Sequence, residues 1–226
     1  MTPAPFLAFD TSGPIGSVAV GIGDEVRASR SLELRQEHAS RLVPAVDEVL
    51  SRAGVEAAAL AGVVVGEGPG SFTGVRVAAA TAKGLAHALG IPLWAFSSLA
   101  AAALAEEAGS KRYVLFDARG DRVYGACYRV EATSVEEMLG PHGGSLGDVL
   151  RSDVVAGAVL VGDGARRHRT VIEQAGFEVG PGPTRSLAEG LLRLRSLAGS
   201  GLEAVDVRVW EPRYVRPSSA EPAWAP

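Results

Sequence analysis

The stretch AGVVVGEGPGSFTGVRVAAATAKGL, residues 61–85, decides how this chain folds. Its apolar run at 62–66 predicts a buried strand, a loop with several glycines follows, and an Ala-rich segment at about 73–89 predicts a helix. A unit of this kind leaves backbone N–H groups unpaired at the helix N-terminus, where the helix dipole favours an anion. Either Ser71 or Thr73 is suited to cap that helix.

Two interpretations of this loop stay open. Gly68, Gly70 and Ser71 are candidates for an anion or nucleotide site, but glycines here also suit a tight turn that packs the helix closely on the strand. A P-loop needs Gly-Lys-Ser/Thr, whereas Ser71 follows Gly70 and the nearest lysine is Lys83. We expect a structural loop first, with positive φ at Gly70 and Gly74 that alanine would strain.

Composition limits the class of protein. The chain has 226 residues, is 47% apolar and carries a net charge of −4, which is typical of a folded soluble protein and argues against direct, affinity-dominating binding of nucleic acid. Arginines cluster at 166–169, where a solvated helix face is favoured over an anion patch. Cys127, the single cysteine, fits a reducing cytosol. We expect a cytoplasmic protein with no secretion signal and no membrane span.

One structural pattern occurs twice along the chain. Residues 6–34 predict three short strands joined by tight turns, and residues 112–130 repeat the opening of that meander. Asp10 and Asp117 hold equivalent places, each after an apolar run that ends in Phe. Each meander is followed by a helix, a strand and another helix, at 36–53, 62–66 and 73–89 in the first copy and at about 145–151, 158–162 and 164–176 in the second.

This duplication predicts an α/β protein of two related lobes with a cleft between them. We place the lobes at residues 1–97 and 98–215, each opening with a three-strand meander, and a Pro-rich tail at 216–226. The hinge is expected near residues 91–98. Apolar residues at helical spacing predict a further helix at 187–197 that packs back on the first lobe.

Two helices of the first lobe carry a predicted partner surface. Segment 36–53 has an apolar stripe, and segment 73–89 has small residues on nearly all sides, which lets another helix approach closely. Because the first lobe has few other elements to cover both faces, we expect these helices to meet a partner. The predicted interface comprises Leu42, Val46, Val49, Val77, Ala80 and Gly84, with Arg76, Lys83 and His87 at its rim.

Four motifs resemble the bacterial TsaB family, also called YeaZ. They are FDTS at 9–12, HASRLVPAVDEVL at 38–50, VGEGPGSFTGVRVAAATAKGLA at 65–86 and GDGA at 162–165. The first half of the chain carries almost all of the specificity, because the second half matches mainly in layout.

The resemblance implies a fold and a function. It implies the two-lobed actin-like ATPase fold, related to ribonuclease H, that actin, Hsp70 and sugar kinases share. It also implies a role in forming threonylcarbamoyladenosine at position 37 of tRNAs that read ANN codons, as the partner of a similar transferase, TsaD, and an ATPase, TsaE. The surface that binds TsaD is expected to form a homodimer in isolation, and tRNA is met only through the complex. Likeness to TsaD explains why such chains were labelled M22-type glycoproteases.

The residues of a catalytic member are missing from the sequence. Catalytic members bind a metal through two histidines spaced four apart, but His38, His87, His142 and His168 include no such pair. A protease would need a nucleophile, yet there is no Gly-x-Ser-x-Gly elbow and Cys127 has no evident histidine partner. We therefore expect no catalytic residue, no metal site and no required cofactor.

An actin-type ATPase is the alternative. Asp10, Thr11 and Ser12 preserve one phosphate-binding turn, and Asp117 preserves the first aspartate of the other. The second turn, DARGDR at 117–122, replaces the small residues that leave space for a phosphate. One half-site is preserved and the other is degraded, which favours a catalytically silent scaffold subunit. Weak binding of ATP or ADP, and a small ATPase or phosphotransferase, stay open.

Overall fold

The structure is a computed structural model and describes residues 4–33, 38–199 and 203–215, so the tail at 216–226 lies outside the described residues. The first sheet has five strands: β1 (Pro5–Asp10), β2 (Ile15–Ile22), β3 (Glu25–Glu33), β4 (Gly62–Gly66) and β5 (Leu93–Phe96). Their order is β3-β2-β1-β4-β5. The strands β1, β2 and β3 form the predicted antiparallel meander, and β4 and β5 add in parallel.

The segment predicted as a hinge is part of this sheet. Trp94 was expected between elements, but it lies in β5, where it pairs with Val64 of β4. The expectation failed because a four-residue apolar run next to a proline is as typical of a linker as of a short strand. Its pairing with β4, which lies far away in the sequence, makes it a strand. The limits of the two lobes stay a prediction.

Two helices cover one face of the first sheet, α1 (His38–Ala53) and α2 (Phe72–Leu89). Both were predicted, and the first residues of the predicted first helix lie outside the described residues. Ser71 caps α2 by accepting a hydrogen bond from the Gly74 N–H at 3.3 Å, and Gly90 ends the helix with a φ of +66°. Leu7, Phe9 and other alternate residues of the strands pack beneath these helices.

The second sheet repeats the arrangement of the first. Its strands are β6 (Lys111–Asp117), β7 (Arg122–Val130), β8 (Val135–Ser145) and β9 (Val159–Val161), in the order β8-β7-β6-β9. As in the first sheet, the opening strand runs antiparallel to the second and parallel to the strand that follows the meander. The sequence located the first two strands and left the third without bounds, because 135–145 contains three glycines and a proline.

Five α-helices and a short 3-10 helix at Ala57–Ala59 complete the described chain. The α-helices are α3 (Ser98–Ala105), α4 (Leu146–Ser152), α5 (Asp163–Arg167), α6 (Arg169–Gln174) and α7 (Leu187–Leu197). The single helix predicted at 164–176 is broken at His168 into α5 and α6. None of the helices in the described ranges combines the length and apolar content needed to cross a bilayer.

Helices α3 and α7 lie between the two sheets. All eight residues of α3 are buried, and it packs on the second sheet and on α7. The predicted α7 is confirmed and packs on the first sheet. It begins with a capping box between Ser186 and Glu189. A Cβ at Gly190 would collide with the carbonyl of Ala101, so this glycine lets the two helices cross closely.

Candidate functional site: the Asp10 turn and the exposed face of helix α2

Asp10 ends β1 in a fully buried position. Its Oδ1 accepts hydrogen bonds from the N–H and Oγ of Ser12 at 2.7 and 2.6 Å, and its Oδ2 accepts from Oγ of Ser98 at 2.6 Å. Burial raises the pKa of Asp10, and the hydrogen bonds from Ser12 and Ser98 oppose that rise. The carboxyl group therefore ties the end of β1 to the start of α3.

Ser98→Ala is expected to lower the free energy of unfolding by about 1–3 kcal/mol. Its hydroxyl donates to Asp10 and accepts from the Gly68 N–H at 3.1 Å, so alanine leaves two buried polar groups without a partner. Urea denaturation measures the effect, with Ser51→Ala at an exposed position of α1 as the control. Equal midpoints for the two variants would contradict this role of Ser98.

The glycine loop packs directly on the Asp10 turn. A Cβ at Gly70 would collide with the carbonyl of Ser12, and a Cβ at Gly74 would collide with the carbonyl of Thr11. Thr11 Oγ1 donates to the carbonyl of Gly74 at 2.6 Å, and the Ser71 N–H donates to the carbonyl of Ser12 at 2.7 Å. The two segments approach so closely that no side chain fits between them.

The structure thereby brings together the residues predicted to hold an anion or nucleotide. Among these residues Gly68 has a positive φ, of +94°. The prediction that Gly70 and Gly74 have positive φ is wrong. The side chains of residues 10–12 are at most 4% exposed and bond within the protein. Binding of an anion or nucleotide by the whole set stays a prediction. The full set is Asp10, Thr11, Ser12, Gly68, Gly70 and Ser71.

The second lobe has a related turn at the end of β6. Asp117 accepts a hydrogen bond from the Arg119 N–H at 3.3 Å, and Arg119 has a φ of +68°. A Cβ at Gly162 would lie 2.4 Å from the carbonyl oxygen of Leu115, and a Cβ at Gly164 would lie 2.9 Å from the backbone of β6. The GDGA motif thus packs on β6 much as the glycine loop packs on β1.

Asp163→Asn is expected to gain stability relative to the native chain as the pH rises. Burial and the nearby Asp117 raise the pKa of Asp163 from 3.8 to about 6, and Arg166 opposes them. A carboxyl group whose pKa is raised on folding favours the folded state when protonated, and that contribution is lost between about pH 4 and pH 6. Urea denaturation at about pH 4 and about pH 7 measures it. A stability difference that does not change with pH would contradict the prediction.

The arginine cluster at 166–169 is divided among separate ion pairs. Each arginine faces its own carboxylate, so the cluster does not present a single patch for anions. Of the three, only Arg167 is exposed as a solvated helix face predicts, because Arg166 and Arg169 are half-buried. The pairs are Arg166–Glu106 at 2.6 Å, Arg167–Asp117 at 3.7 Å and Arg169–Glu173 at 2.9 Å.

The histidines and the cysteine are dispersed. Within the described residues, no three His, Cys, Asp or Glu side chains are arranged to hold a metal ion. Nε2 of His142 lies 2.8 Å from the Tyr113 hydroxyl. Cys127 is buried in the core of the second lobe, and burial raises the pKa of its thiol.

The predicted partner surface on α1 is wrong. Leu42, Val46 and Val49 are at most 5% exposed and pack in the core beneath the helix. Their spacing marks the buried face of an amphipathic helix, and the first sheet itself covers that face.

The predicted surface on α2 is partly open to solvent. Arg76, Ala80, Gly84 and His87 are exposed and form what we term the exposed face of α2, and Val77 and Lys83 are half-buried at its edge. A Cβ at Gly84 would meet no atom within 4 Å. The helix carries no acidic residue. A partner on this face stays a prediction.

Sequence reasoning missed the C-terminal segment, residues 203–215, as a neighbour of α2. The Trp210 indole lies 3.5 Å from the Glu67 carboxylate, and Nε of Arg76 donates to the Tyr214 hydroxyl at 3.0 Å. Burial raises the pKa of Glu67. The two aromatic residues are the signal in this stretch, which has no regular secondary structure and so no periodicity to read.

Comparisons with known proteins agree on one family. The family model described as TsaD: tRNA N6-adenosine threonylcarbamoyltransferase matches residues 32–170. The Bacillus subtilis tRNA threonylcarbamoyladenosine biosynthesis protein TsaB is 31% identical over 225 residues, which covers 96% of each chain. The structure of YeaZ from Pseudomonas aeruginosa has a TM-score of 0.78 and 30% identity, and covers 93% of this chain and 99% of that one.

More distant structures bear on the fold alone. Component A of (R)-2-hydroxyglutaryl-CoA dehydratase from Acidaminococcus fermentans is 12% identical, with a TM-score of 0.55 over 86% of this chain and 97% of that chain. Together with the two repeated sheets, this likeness confirms the predicted actin-like ATPase fold. Identity across nearly the whole length, the matching YeaZ structure and the four sequence motifs lead to one conclusion: the chain belongs to the TsaB (YeaZ) family.

Proposed function

We propose that this chain is a non-catalytic scaffold subunit of the complex that forms N6-threonylcarbamoyladenosine at position 37 of ANN-decoding tRNAs. It binds a TsaD-like transferase subunit and supports that subunit's activity, together with a TsaE-like ATPase. The chain works in the cytoplasm and meets tRNA only through the complex. The names of its relatives and the match to the TsaD model support this role.

The exposed face of α2 is the observation that carries the proposal. Ala80 and Gly84 lie in the open on an 18-residue helix, and small residues at such positions let a partner helix approach closely. Arg76 and Lys83 flank them with positive charge in a chain whose net charge is −4. The opposite side of α2 packs in the core of the first lobe, so the helix is held in place. Its exposed face has small side chains at Ala80 and Gly84 and therefore suits a partner that contributes a helix.

Two assemblies use this face in the proposal. Because the chain matches the TsaD model, a TsaD-like partner is expected to offer a helix related to α2. A second copy of this chain offers α2 itself, which makes a two-fold symmetric homodimer through the same face. The homodimer and the complex with the transferase subunit therefore compete.

The alternative of a small ATPase or phosphotransferase gains no support from the Asp10 turn. Thr11 and Ser12 are buried and bond to neighbouring protein groups, whereas a catalytic turn must present groups to a phosphate. ATP turnover by the pure chain, alone and with TsaD and TsaE, separates the alternatives. Turnover by the chain alone would favour the ATPase.

Reconstitution tests the scaffold role. Purified TsaD and TsaE are assayed for tRNA modification with and without this chain, and the chain is also assayed alone. We expect modification to require the chain and the chain alone to modify no tRNA. Equal modification rates with and without the chain would overturn the proposal.

A further inference from the structure

An arginine and two aromatic side chains form a cluster at the N-terminal end of the exposed face of α2. Phe72 lies in the first turn of α2 and Tyr214 lies in the C-terminal segment, and their ring centroids are 5.7 Å apart. Cζ of Arg76 lies 3.8 Å from the centre of the Phe72 ring, and its Nε donates to the Tyr214 hydroxyl at 3.0 Å. We term these three residues the aromatic–arginine cluster. The two rings hold the guanidinium in place although Arg76 is exposed.

The residue types of the cluster are those of a protein–protein contact. Phe72 is 36% exposed and Tyr214 is 44% exposed. Both border the exposed face of α2, because Arg76 lies one turn before Ala80 on the same side of the helix. Aromatic residues and arginine are enriched at the positions that dominate the binding energy of interfaces. The small residues of α2 are therefore continued, on the same surface, by side chains that suit the centre of an interface.

The guanidinium of Arg76 keeps hydrogen-bond donors for a partner. Within the described residues it pairs with no carboxylate, and α2 itself carries no acidic residue. Glu67 of the glycine loop is engaged by the Trp210 indole at 3.5 Å and by Nε of Arg213 at 3.7 Å. Since Tyr214 uses Nε of Arg76, the edge that carries the two Nη atoms faces no acceptor in the described part of the chain. A carboxylate matches such an edge through a pair of parallel hydrogen bonds.

We propose that the aromatic–arginine cluster anchors a helix of the TsaD-like transferase subunit, and that Arg76 binds a carboxylate on that helix. The inference rests on the proposed function and names the part of the surface that selects the partner. A second copy of this chain brings an α2 that has basic residues and no carboxylate, so Arg76 gains no ion pair from that helix. Charge complementarity therefore favours the complex with the transferase subunit over the homodimer.

Calorimetric titration of the full chain with purified TsaD, at about 0.05 M and about 0.5 M salt, tests the role of Arg76. Arg76→Gln is expected to weaken binding by about tenfold or more at the lower salt concentration, because a charged hydrogen bond to the partner is lost. The loss is expected to shrink at the higher concentration, where salt screens the native ion pair. The matched control is Arg151→Gln, which removes the same charge from an exposed position of α4 in the second lobe.

The homodimer supplies a readout that a purely structural role of Arg76 would not give. Sedimentation of Arg76→Gln alone is expected to show self-association at least as strong as that of the native chain, because the substitution removes a charge that meets no carboxylate of the other α2. An equal loss in the homodimer and in the complex would mean that Arg76 only supports the shape of the surface. That result would overturn the proposed carboxylate contact.

Tyr214→Ala tests the aromatic part of the cluster. It is expected to weaken binding to TsaD by about tenfold or more, because a ring that packs against the partner is lost and Arg76 is released. Tyr214→Phe keeps the ring and is expected to lose less than Tyr214→Ala does. Circular dichroism verifies that each variant is folded. The inference fails, and the scaffold role stands, if the native chain binds TsaD and the Arg76 and Tyr214 variants bind it equally well. If the native chain does not bind TsaD at all, the inference and the proposed function both fail.

Discussion

Gly74→Ala is expected to lower the melting temperature by about 4–8 °C, a loss of about 2 kcal/mol or more. The added Cβ would collide with the carbonyl of Thr11, a backbone atom that a side-chain rotation cannot move. Relief requires α2 to shift away from the Asp10 turn, which breaks the hydrogen bond from Thr11 Oγ1 to the Gly74 carbonyl at 2.6 Å. Gly70→Ala faces the same obstacle at Ser12. No ligand need be present for either loss.

The matched control lies in the same helix. Gly84→Ala places its Cβ in open space, so it is expected to stabilise the isolated chain by about 0.5–1 kcal/mol through helix propensity. Thermal unfolding followed by circular dichroism compares the two. A loss of stability for Gly74→Ala together with a gain for Gly84→Ala would identify the close approach of Gly74 to Thr11 as the cause of the loss. An unchanged melting temperature for Gly74→Ala, with nucleotide binding lost, would favour a ligand role for the loop instead.

Ala80→Glu is expected to abolish association with a second copy and with TsaD while leaving the fold intact. Residue 80 is exposed and glutamate is a good helix former, so the isolated chain tolerates the change. Between two closely packed helices the same side chain adds bulk and a carboxylate that must lose its water, which costs several kcal/mol of association. An affinity loss of at least about 100-fold follows, together with lost tRNA modification.

Sedimentation measures this effect for the chain alone and mixed with TsaD. Thr170→Glu is the control, because it puts the same charge on an exposed helical position of the second lobe. Monomeric Ala80→Glu beside a normally associating Thr170→Glu is the expected pair of results. If both variants associate as the native chain does, the interface lies elsewhere and the exposed face of α2 has another role.

The tertiary structure decided which surfaces are covered. The stripe on α1 with Leu42 and Val46 is equally compatible with a partner and with its own sheet, because periodicity states that a face is apolar without stating what lies against it. The C-terminal segment packs on α2 through contacts between residues that are far apart in sequence, such as Arg76 and Tyr214. The break at His168 and the pairing of β5 likewise depend on neighbours that no local pattern reveals.

The sequence by itself determined the first meander, β4, α2, α7 and the duplication, since each is encoded by short-range apolar periodicity, capping residues and turn glycines. It also identified Asp10 and the glycine loop as candidates for anion or nucleotide binding, without saying whether a ligand or the protein itself contacts them. Only the tertiary structure showed that the side chains of Asp10, Thr11 and Ser12 are buried and bond within the protein, and binding of a nucleotide stays a prediction. The physical reason is that a glycine needed for close approach and one needed for a ligand look alike until the atom facing its missing Cβ is known, and at Gly74 that atom is the carbonyl of Thr11.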